Sequence, residues 1–254
     1  MRLLKSAVMA FSTFTKIPMP QIDWDDDAVR VSIAFLPMAG AVLGGVIWLW
    51  IWLCGVLDLS AVLFAAVAAV LPVLFTGGIH LDGFCDTVDA LSSWQDRERK
   101  LEIMKDPHIG TFAMIRCVMY LLICFALLYE LRLRGLAAGL GFIYLLSRCF
   151  AAFGAITLPN ARKSGMLMSF TESADRRAIT AILAIFAVAG MAGLIWFASL
   201  RGVAALVLGL LTWLWYRLMA MKQFSGATGD TTGFSLQAVE LALLAGLLVG
   251  GFIR

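Results

Sequence analysis

Charged residues are scarce in this sequence, and that scarcity excludes a soluble globular protein. Only 15% of the 254 residues are Asp, Glu, Lys or Arg, and 61% are hydrophobic. Soluble domains average about 25% charged and about 45–50% apolar residues. The net charge of +3 is small and shared among loops, so nothing indicates a nucleic-acid partner. No Pro- or Ser-rich linker divides the chain, and we predict one membrane-embedded domain over residues 1–254.

Paired cysteines and clustered histidines are missing as well. The five cysteines form no Cys-x-x-Cys pair and mostly lie in apolar runs, and there are only two histidines. A disulfide framework and a zinc site are therefore not supported. Buried, reduced thiols are the expected state.

Long apolar runs are what the sequence has in abundance. A helix needs about 20 apolar residues to cross about 30 Å of hydrocarbon, and seven runs qualify, with six or eight spans as the alternatives. They are residues 31–57, 59–79, 111–129, 136–157, 178–200, 202–221 and 234–253. We predict an all-α fold, a polytopic transmembrane helical bundle of about seven spans. Residues 1–20 predict an amphipathic helix at the membrane interface.

The distribution of Lys and Arg predicts the orientation, because these residues collect in short cytoplasmic loops. The segments assigned to the inside carry thirteen of them: Arg2, Lys5, Lys16, Arg30, Arg97, Arg99, Lys100, Lys105, Arg162, Lys163, Arg176, Arg177 and Lys222. Those assigned to the outside carry four: Arg132, Arg134, Arg201 and Arg254. We predict a cytoplasmic N-terminus in the cell (inner) membrane, with a cytoplasmic motif region at 80–110.

A carboxylate cluster follows the second apolar run. The string Gly-Gly-Ile-His-Leu-Asp-Gly-Phe-Cys-Asp-Thr-Val-Asp-Ala occupies residues 77–90, and a helix would bring Asp82, Asp86 and Asp89 to one face. Such carboxylates repel one another, and Mg²⁺ or Mn²⁺ would offset the repulsion. A solvated acidic face is the alternative. His80, at the mouth of the cluster, could orient a ligand or carry a proton.

Further polar residues are candidates for substrate binding. Glu102 and Asp106 are four residues apart and lie beside Arg97, which suits a substrate with phosphates, although ordinary helix ion pairs would give the same pattern. The Gly/Thr-rich residues 226–235 include Asp230 and can offer backbone N–H groups to a phosphate, as could a simple turn. Arg148 lies deep in its span, where a charge usually faces a cavity or a partner.

Carboxylate-held Mg²⁺ at a membrane face suits displacement at phosphorus. The metal neutralises charge on the phosphoryl oxygens, while a carboxylate takes a proton from the attacking hydroxyl. Residue types and spacing do not name the substrate.

The string at 77–90 resembles the hallmark of the cobalamin synthase family, the adenosylcobinamide-GDP ribazoletransferases. The similarity extends over nearly the whole chain and in the family's order. Its further blocks are Thr-Phe-Thr-Lys-Ile-Pro at 13–18, Glu-Ile-Met-Lys-Asp-Pro-His-Ile-Gly-Thr at 102–111, Ser-Arg at 147–148, Ala-Arg-Lys-Ser-Gly at 161–165 and Gly-Asp-Thr at 229–231. Cys85 and Val88 depart from the small residues expected there, without touching the carboxylates.

The resemblance implies a Mg²⁺-dependent phosphotransferase-type transferase that joins adenosylcobinamide-GDP to α-ribazole or its 5′-phosphate and releases GMP. Mapped onto this chain, it predicts that Asp82, Asp86 and Asp89 hold the metal. It also predicts that Asp82, Asp86, Asp106 and His80 act in catalysis, while Arg97, Glu102, Arg148 and Asp230 bind substrate. The partners implied are these substrates and the lipid bilayer. The oligomeric state, with a homo-oligomer as one alternative, and the choice of ribazole substrate stay open.

Three rival classes fit less well. CDP-alcohol phosphotransferases need Ala-Arg after their first Asp-Gly-x-x, whereas Asp86-Thr87 follows here. Membrane prenyltransferases use two Asp-rich motifs, and Glu102-x3-Asp106 is a poor copy of the second. A transporter would account for the intramembrane charges, but we find no inverted repeat with paired broken helices.

Overall fold

The structure, a computed structural model, describes residues 2–20, 26–172 and 174–251. Short 3₁₀ turns precede α3 and α8. The helices within the described residues are α1 (Arg2–Phe14), α2 (Asp26–Ser32), α3 (Leu36–Val56), α4 (Ala61–Thr76), α5 (Ile79–Ser92), α6 (Arg97–Ile103), α7 (Thr111–Leu133), α8 (Leu140–Thr157), α9 (Met166–Thr171), α10 (Arg176–Ala198), α11 (Leu200–Phe224) and α12 (Gly229–Val249). α1 lies within the segment for which an amphipathic helix is predicted. Of the basic residues used to predict the orientation, Arg254 lies outside the described residues, and the structure does not describe the side chain of Arg30.

Six of these helices are long and apolar enough to cross a membrane. They are α3, α7, α8, α10, α11 and α12, and the bent pair of α4 and α5 raises the number to seven if it counts as one span. Large apolar side chains such as Leu122, Ile185, Trp196 and Leu218 are exposed on the outside of the bundle, as expected where lipid is the solvent. The prediction of a polytopic helical membrane protein is confirmed.

The interior of the bundle is built around α8 and α12, which are buried over most of their length. α8 packs against α3, α10 and α12, while α12 also packs along α11 and α5. Small residues of α8 such as Ala151, Ala152 and Ala155 are almost completely buried, which lets these helices approach closely. Both central helices carry an ionisable residue in their buried part, namely Arg148 in α8 and Glu240 in α12.

The second predicted span differs from a straight membrane helix. α4 has only 16 residues, or roughly 24 Å, and the chain then turns by 93° into α5. Gly77 and Gly78 make this turn, since both have positive φ (64° and 83°), a conformation that costs glycine little. α5 therefore runs across one end of the bundle, and we treat it as lying outside the membrane-spanning segments.

Three polar connections meet at this end of the bundle, which we call the polar end. They are the region from α5 to the start of α7, the loop between α8 and α9, and the loop between α11 and α12. Arg97 of α6 donates from Nε to the carbonyl oxygen of Phe224 (3.0 Å), and the amide of Ala161 donates to the carbonyl oxygen of Ala227 (2.9 Å). The opposite end has only short turns, such as the one around Asp58.

Candidate active site

The first turns of α5 and α12 pack against each other at the polar end. A Cβ atom on Gly83 would lie only 2.8 Å from the carbonyl oxygen of Asp230, and one on Gly233 would lie 3.0 Å from the carbonyl oxygen of His80. Glycine at both positions permits this close approach. The motif at 77–90 and the motif at 229–231 are thereby brought together, although they lie far apart in the sequence.

A cavity of about 370 Å³ opens beside this crossing. Its polar wall includes His80, Asp82, Asn160, Arg162, Thr228 and Asp230. Its apolar lining residues include Phe14, Leu36, Met166, Met168, Phe170 and Leu236, which we call the apolar wall. A cavity with both charged and apolar lining residues suits a ligand that carries both an ionic group and an apolar or aromatic part.

The loop between α8 and α9 brings a cation to the polar wall. Two backbone hydrogen bonds tie this loop to the α11–α12 loop, from Ala161 N to Ala227 O and from Ala227 N to Pro159 O (2.8 Å). Arg162 then reaches Asp230, with 3.0 Å between Nη1 and Oδ2, and its Nη2 donates to the carbonyl oxygen of Leu101 at 3.0 Å. Arg162 was not predicted as a site residue, although its motif Ala-Arg-Lys-Ser-Gly was part of the resemblance.

Asp82 and Asp86 lie on α5 beside this pair. Burial, followed by the negative charges of Asp82, Asp230 and Asp89, raises the pKa of Asp86 to about 7, and Arg162 opposes the rise. Asp82 lines the cavity, whereas Asp86 is half-buried behind it. Several carboxylates thus converge where Arg162 is the one arginine among the described lining residues, and the excess negative charge favours a cation.

Asp89 is placed differently from the other two aspartates of α5. Its Oδ2 accepts a hydrogen bond from the amide of Gly110, and its Oδ1 accepts one from the amide of Ala113 (3.1 Å). Gly110 is the residue just before α7 and Ala113 lies in its first turn, where free N–H groups and the helix dipole favour a negative charge. In this structure Asp89 joins α5 to α7, and both of its oxygens already have a partner.

His80 lines the cavity, and one of its ring nitrogens has no hydrogen-bond partner among the described residues. The residue is only 7% exposed, and its Nε2 is buried without a hydrogen-bond partner. Its ring stacks on Phe14, with 6.1 Å between the ring centroids. Burial, followed by the positive charge of Arg148, lowers the pKa of His80 to about 3. His80 is therefore a neutral imidazole at physiological pH.

Three of the predicted site residues lie outside the cavity, around α6. α6 ends at Ile103, so Glu102 and Asp106 do not share a helical face. Glu102 pairs with Arg99 on the surface (2.8 Å), where both side chains are more than 60% exposed. Asp106 accepts a hydrogen bond from the amide of His108, and this bond and the His108 ring lower its pKa. The Arg97 side chain holds α6 to the end of α11.

Arg148 also lies outside the cavity lining, deeper in the bundle. Its Nη1 forms a buried ion pair with Glu240 of α12 and a hydrogen bond with Ser147 Oγ (3.0 Å). The side chains of Arg148 and Glu240 are 3% and 4% exposed. An intramembrane charge needs such a partner, and here the pair joins the two central helices.

The residues at the crossing fit a magnesium ion. No group of three His, Cys, Asp or Glu side chains in the described part of the chain is arranged to hold a metal by itself. Mg²⁺, however, is commonly held by one or two carboxylates together with waters and substrate phosphates. The carboxylates of Asp82, Asp86 and Asp230 could supply these ligands. Burial and then the neighbouring carboxylates raise the pKa of Asp86, and a bound cation would oppose both effects.

The bundle and its cavity together define a polytopic membrane protein with an acidic site at one end. The chain belongs to the cobalamin-5-phosphate synthase family, whose model matches residues 6–248; the family resemblance seen in the sequence is thus confirmed, and the chain is a transferase of cobalamin biosynthesis.

Relatives of similar length support this assignment. An adenosylcobinamide-GDP ribazoletransferase of Lachnoclostridium phytofermentans is 36% identical over 249 residues, 98% of this chain and 94% of that protein. Proteins of the same name are 32% identical in Clostridium botulinum (94% of this chain, 95% of that one) and 35% identical in Pseudomonas entomophila (85% and 86%). No solved structure matches this chain.

Proposed function

We propose that this protein joins adenosylcobinamide-GDP to α-ribazole or α-ribazole 5′-phosphate, releasing GMP and forming adenosylcobalamin or its 5′-phosphate. The names of its relatives support the reaction. The observation that carries the proposal is the cavity, where Asp82, His80 and the Arg162–Asp230 pair share one wall. These groups come from three separate stretches of the chain, and each matches a family motif.

Asp82 and Asp86 are the residues that would hold Mg²⁺, with Asp230 beside them. When bound, the ion would neutralise the charge that develops on the phosphoryl oxygens. Because the pKa of His80 is low, the ring is neutral and one of its two nitrogens is an acceptor. In the tautomer protonated at Nδ1, Nε2 would accept a hydrogen bond from the attacking ribose hydroxyl and orient it. Asp89 positions α5 through its bonds to α7.

The apolar wall is suited to the non-ionic parts of the substrates. Phe14 and Phe170 lie with their ring centroids 5.8 Å apart, and Met166 and Met168 lie beside them. Aromatic and thioether side chains adapt to flat heteroaromatic rings. A cavity of about 370 Å³ would take the nucleotide end of a substrate and leave a corrin ring at its mouth.

We further propose that the polar end faces the cytoplasm and that the membrane is the cell inner membrane. The support is the excess of Lys and Arg on the connections of this end. Single cysteines placed near Arg99 and near Arg134 test the orientation in intact cells. An impermeant thiol reagent should label only the second, and labelling of the first from outside would contradict the orientation.

A membrane assay with adenosylcobinamide-GDP, α-ribazole and Mg²⁺ tests the reaction. Wild-type membranes should form GMP and adenosylcobalamin, and Asp82→Asn should lose at least about a hundredfold in rate because charge stabilisation is lost. Asp58→Asn, an isosteric change at the opposite end of the bundle, is the matched control. Asp106→Asn, outside the cavity, should retain most of the activity. Absence of product from the wild type, or full activity of Asp82→Asn, would refute the proposal.

A further inference from the structure

Among the described residues that line the cavity, Arg162 is the one cationic side chain. Asp82 and Asp230 are its acidic neighbours there, and His80 is neutral. A phosphate entering this cavity would meet two carboxylates, so among the lining side chains its attraction comes from the arginine, in addition to any bound Mg²⁺. Arginine suits this task because its planar guanidinium offers five donors that match phosphate oxygens.

The contacts of Arg162 leave part of the guanidinium unused. Nη1 donates to Asp230 and Nη2 donates to Leu101 O, each at 3.0 Å. Nε is buried and has no hydrogen-bond partner. A buried donor without a partner costs free energy, and a ligand oxygen would satisfy it once the guanidinium turns away from Asp230. His80, a second lining residue and more than nine-tenths buried, also has an unpartnered nitrogen, Nε2, which independently indicates that a polar ligand belongs at this site.

The surroundings hold Arg162 in place without neutralising it permanently. The Leu101 carbonyl belongs to α6, which Arg97 and Lys100 fasten to Phe224 and Gln223 at the end of α11. Asp230, by contrast, shares its Oδ2 between Arg162 and the Thr228 hydroxyl (3.4 Å). Both members of the ion pair are partly exposed, with 20% and 26% of their side chains accessible. The accessible part of each side chain leaves the ion pair within reach of a ligand that could replace one partner.

We propose that Arg162 binds the phosphate group of the corrinoid nucleotide, and that it does so by exchanging its ion pair with Asp230 for one with the phosphate. This inference rests on the proposed function for the identity of the substrate. Leu101 O keeps the guanidinium oriented during the exchange, and Asp230 is left free to face the other carboxylates of the crossing. Asp230 therefore competes with the phosphate for Arg162.

Binding of inorganic pyrophosphate to the full-length protein in lipid nanodiscs, without divalent cations, tests the exchange. Arg162→Gln should weaken binding at least about tenfold, because a charge-assisted hydrogen-bonded group is lost. Asp230→Asn should strengthen binding about three- to tenfold, because the competing partner is removed. Lys163→Gln, an exposed neighbouring cation outside the cavity lining, is the matched control and should bind like the wild type.

The double variant Arg162→Gln/Asp230→Asn shows whether the tighter binding of Asp230→Asn comes from the freed Arg162 or simply from the loss of one negative charge. If Asp230 acts through Arg162, the gain seen with Asp230→Asn disappears in the Arg162→Gln background. Arg162→Lys should restore only part of the affinity, because a point charge replaces the planar fork. A gain in affinity cannot arise from misfolding, so the Asp230→Asn result remains interpretable even if Arg162→Gln is unstable.

The proposal is overturned if Asp230→Asn binds pyrophosphate no more tightly than the wild type, or if its gain is equal in both backgrounds. Binding that is undetectable in every variant also overturns it. Turnover of adenosylcobinamide-GDP by the wild type is measured in parallel. Missing turnover with the expected binding pattern would count against the proposed function alone, whereas normal turnover with the wrong binding pattern would count against the Arg162 exchange alone.

Discussion

Replacement of Arg148 by methionine should destabilise the whole bundle rather than act on substrate binding. Arg148 and Glu240 form an ion pair between α8 and α12, and their side chains are 3% and 4% exposed. Methionine would fill much of the space of the arginine, but it would leave the Glu240 carboxylate without its partner. Ser147 Oγ, at 3.4 Å, would be its remaining side-chain hydrogen-bond donor.

The size of the effect follows from the burial of the pair. Removal of one partner of a buried ion pair costs about 3–5 kcal/mol. For a chain of this size, 1 kcal/mol changes the unfolding temperature by about 2–4 °C. We therefore expect Arg148→Met to lower the unfolding temperature by roughly 6–20 °C. The double variant Arg148→Met/Glu240→Leu should recover most of this loss, because it removes both charges together.

Thermal unfolding of the purified protein in detergent, followed with a thiol-reactive dye, measures these shifts, since four of the five cysteines are buried in the folded state. Arg217→Met is the control: Arg217 is a partly exposed arginine that bonds Thr157, and its loss should cost about 1 kcal/mol or less. The reasoning is refuted if Arg148→Met unfolds at the wild-type temperature but binds adenosylcobinamide-GDP poorly. Arg148 would then be a substrate-binding residue, as its sequence motif predicted.

Three further predictions concern α5. Asp89→Ala should lower the free energy of unfolding by about 1 kcal/mol, because the cap on α7 is lost, and Asp89→Asn should lower it less. Thermal unfolding measures this difference. Equal stability of Asp89→Ala and the wild type would show that Asp89 does not cap α7. Gly83→Ala should reduce turnover at least about tenfold by forcing α5 away from Asp230, whereas Gly45→Ala, where a Cβ meets open space, should be neutral in the same assay. The raised pKa of Asp86, about 7 against about 4 for a free aspartate, means that its proton stabilises the folded state. This contribution is fully present below about pH 4 and is lost as the pH rises from there through 7. Without divalent cations the unfolding temperature should fall between pH 5 and pH 8, and Asp86→Asn should flatten that part of the profile; an unchanged profile would show that Asp86 is not responsible.

The apolar runs and the α5 motif were predictable because they depend on local properties. Runs of apolar residues identify membrane helices, and the i, i+4, i+7 spacing identifies one face of α5. The 93° turn before α5 was signalled by Gly77-Gly78, but a pair of glycines does not specify an angle. The end of α6 at Ile103 separates Glu102 from Asp106, which spacing alone could not reveal.

Tertiary partners decided the roles that sequence reasoning left undetermined. Arg148 and Glu240 are 92 residues apart; each stands out as a charge within a span, and only packing shows that they face each other. Asp89 looks identical to Asp82 and Asp86 by spacing, and its bonds to α7 distinguish it. Arg162 was counted only as a loop cation, because its partner Asp230 lies 68 residues further along the chain.

The crossing of α5 and α12 has a consequence for how the protein is made. During synthesis Asp82 and Asp86 emerge with α5 long before Arg162 and the first turn of α12, so the acidic helix exists for a time without the groups that pack against it. Insertion of α12 is the step that covers Gly83 and closes the cavity wall. A nascent chain that stops before α12 would leave Gly83 and the acidic face of α5 uncovered and the cavity incomplete.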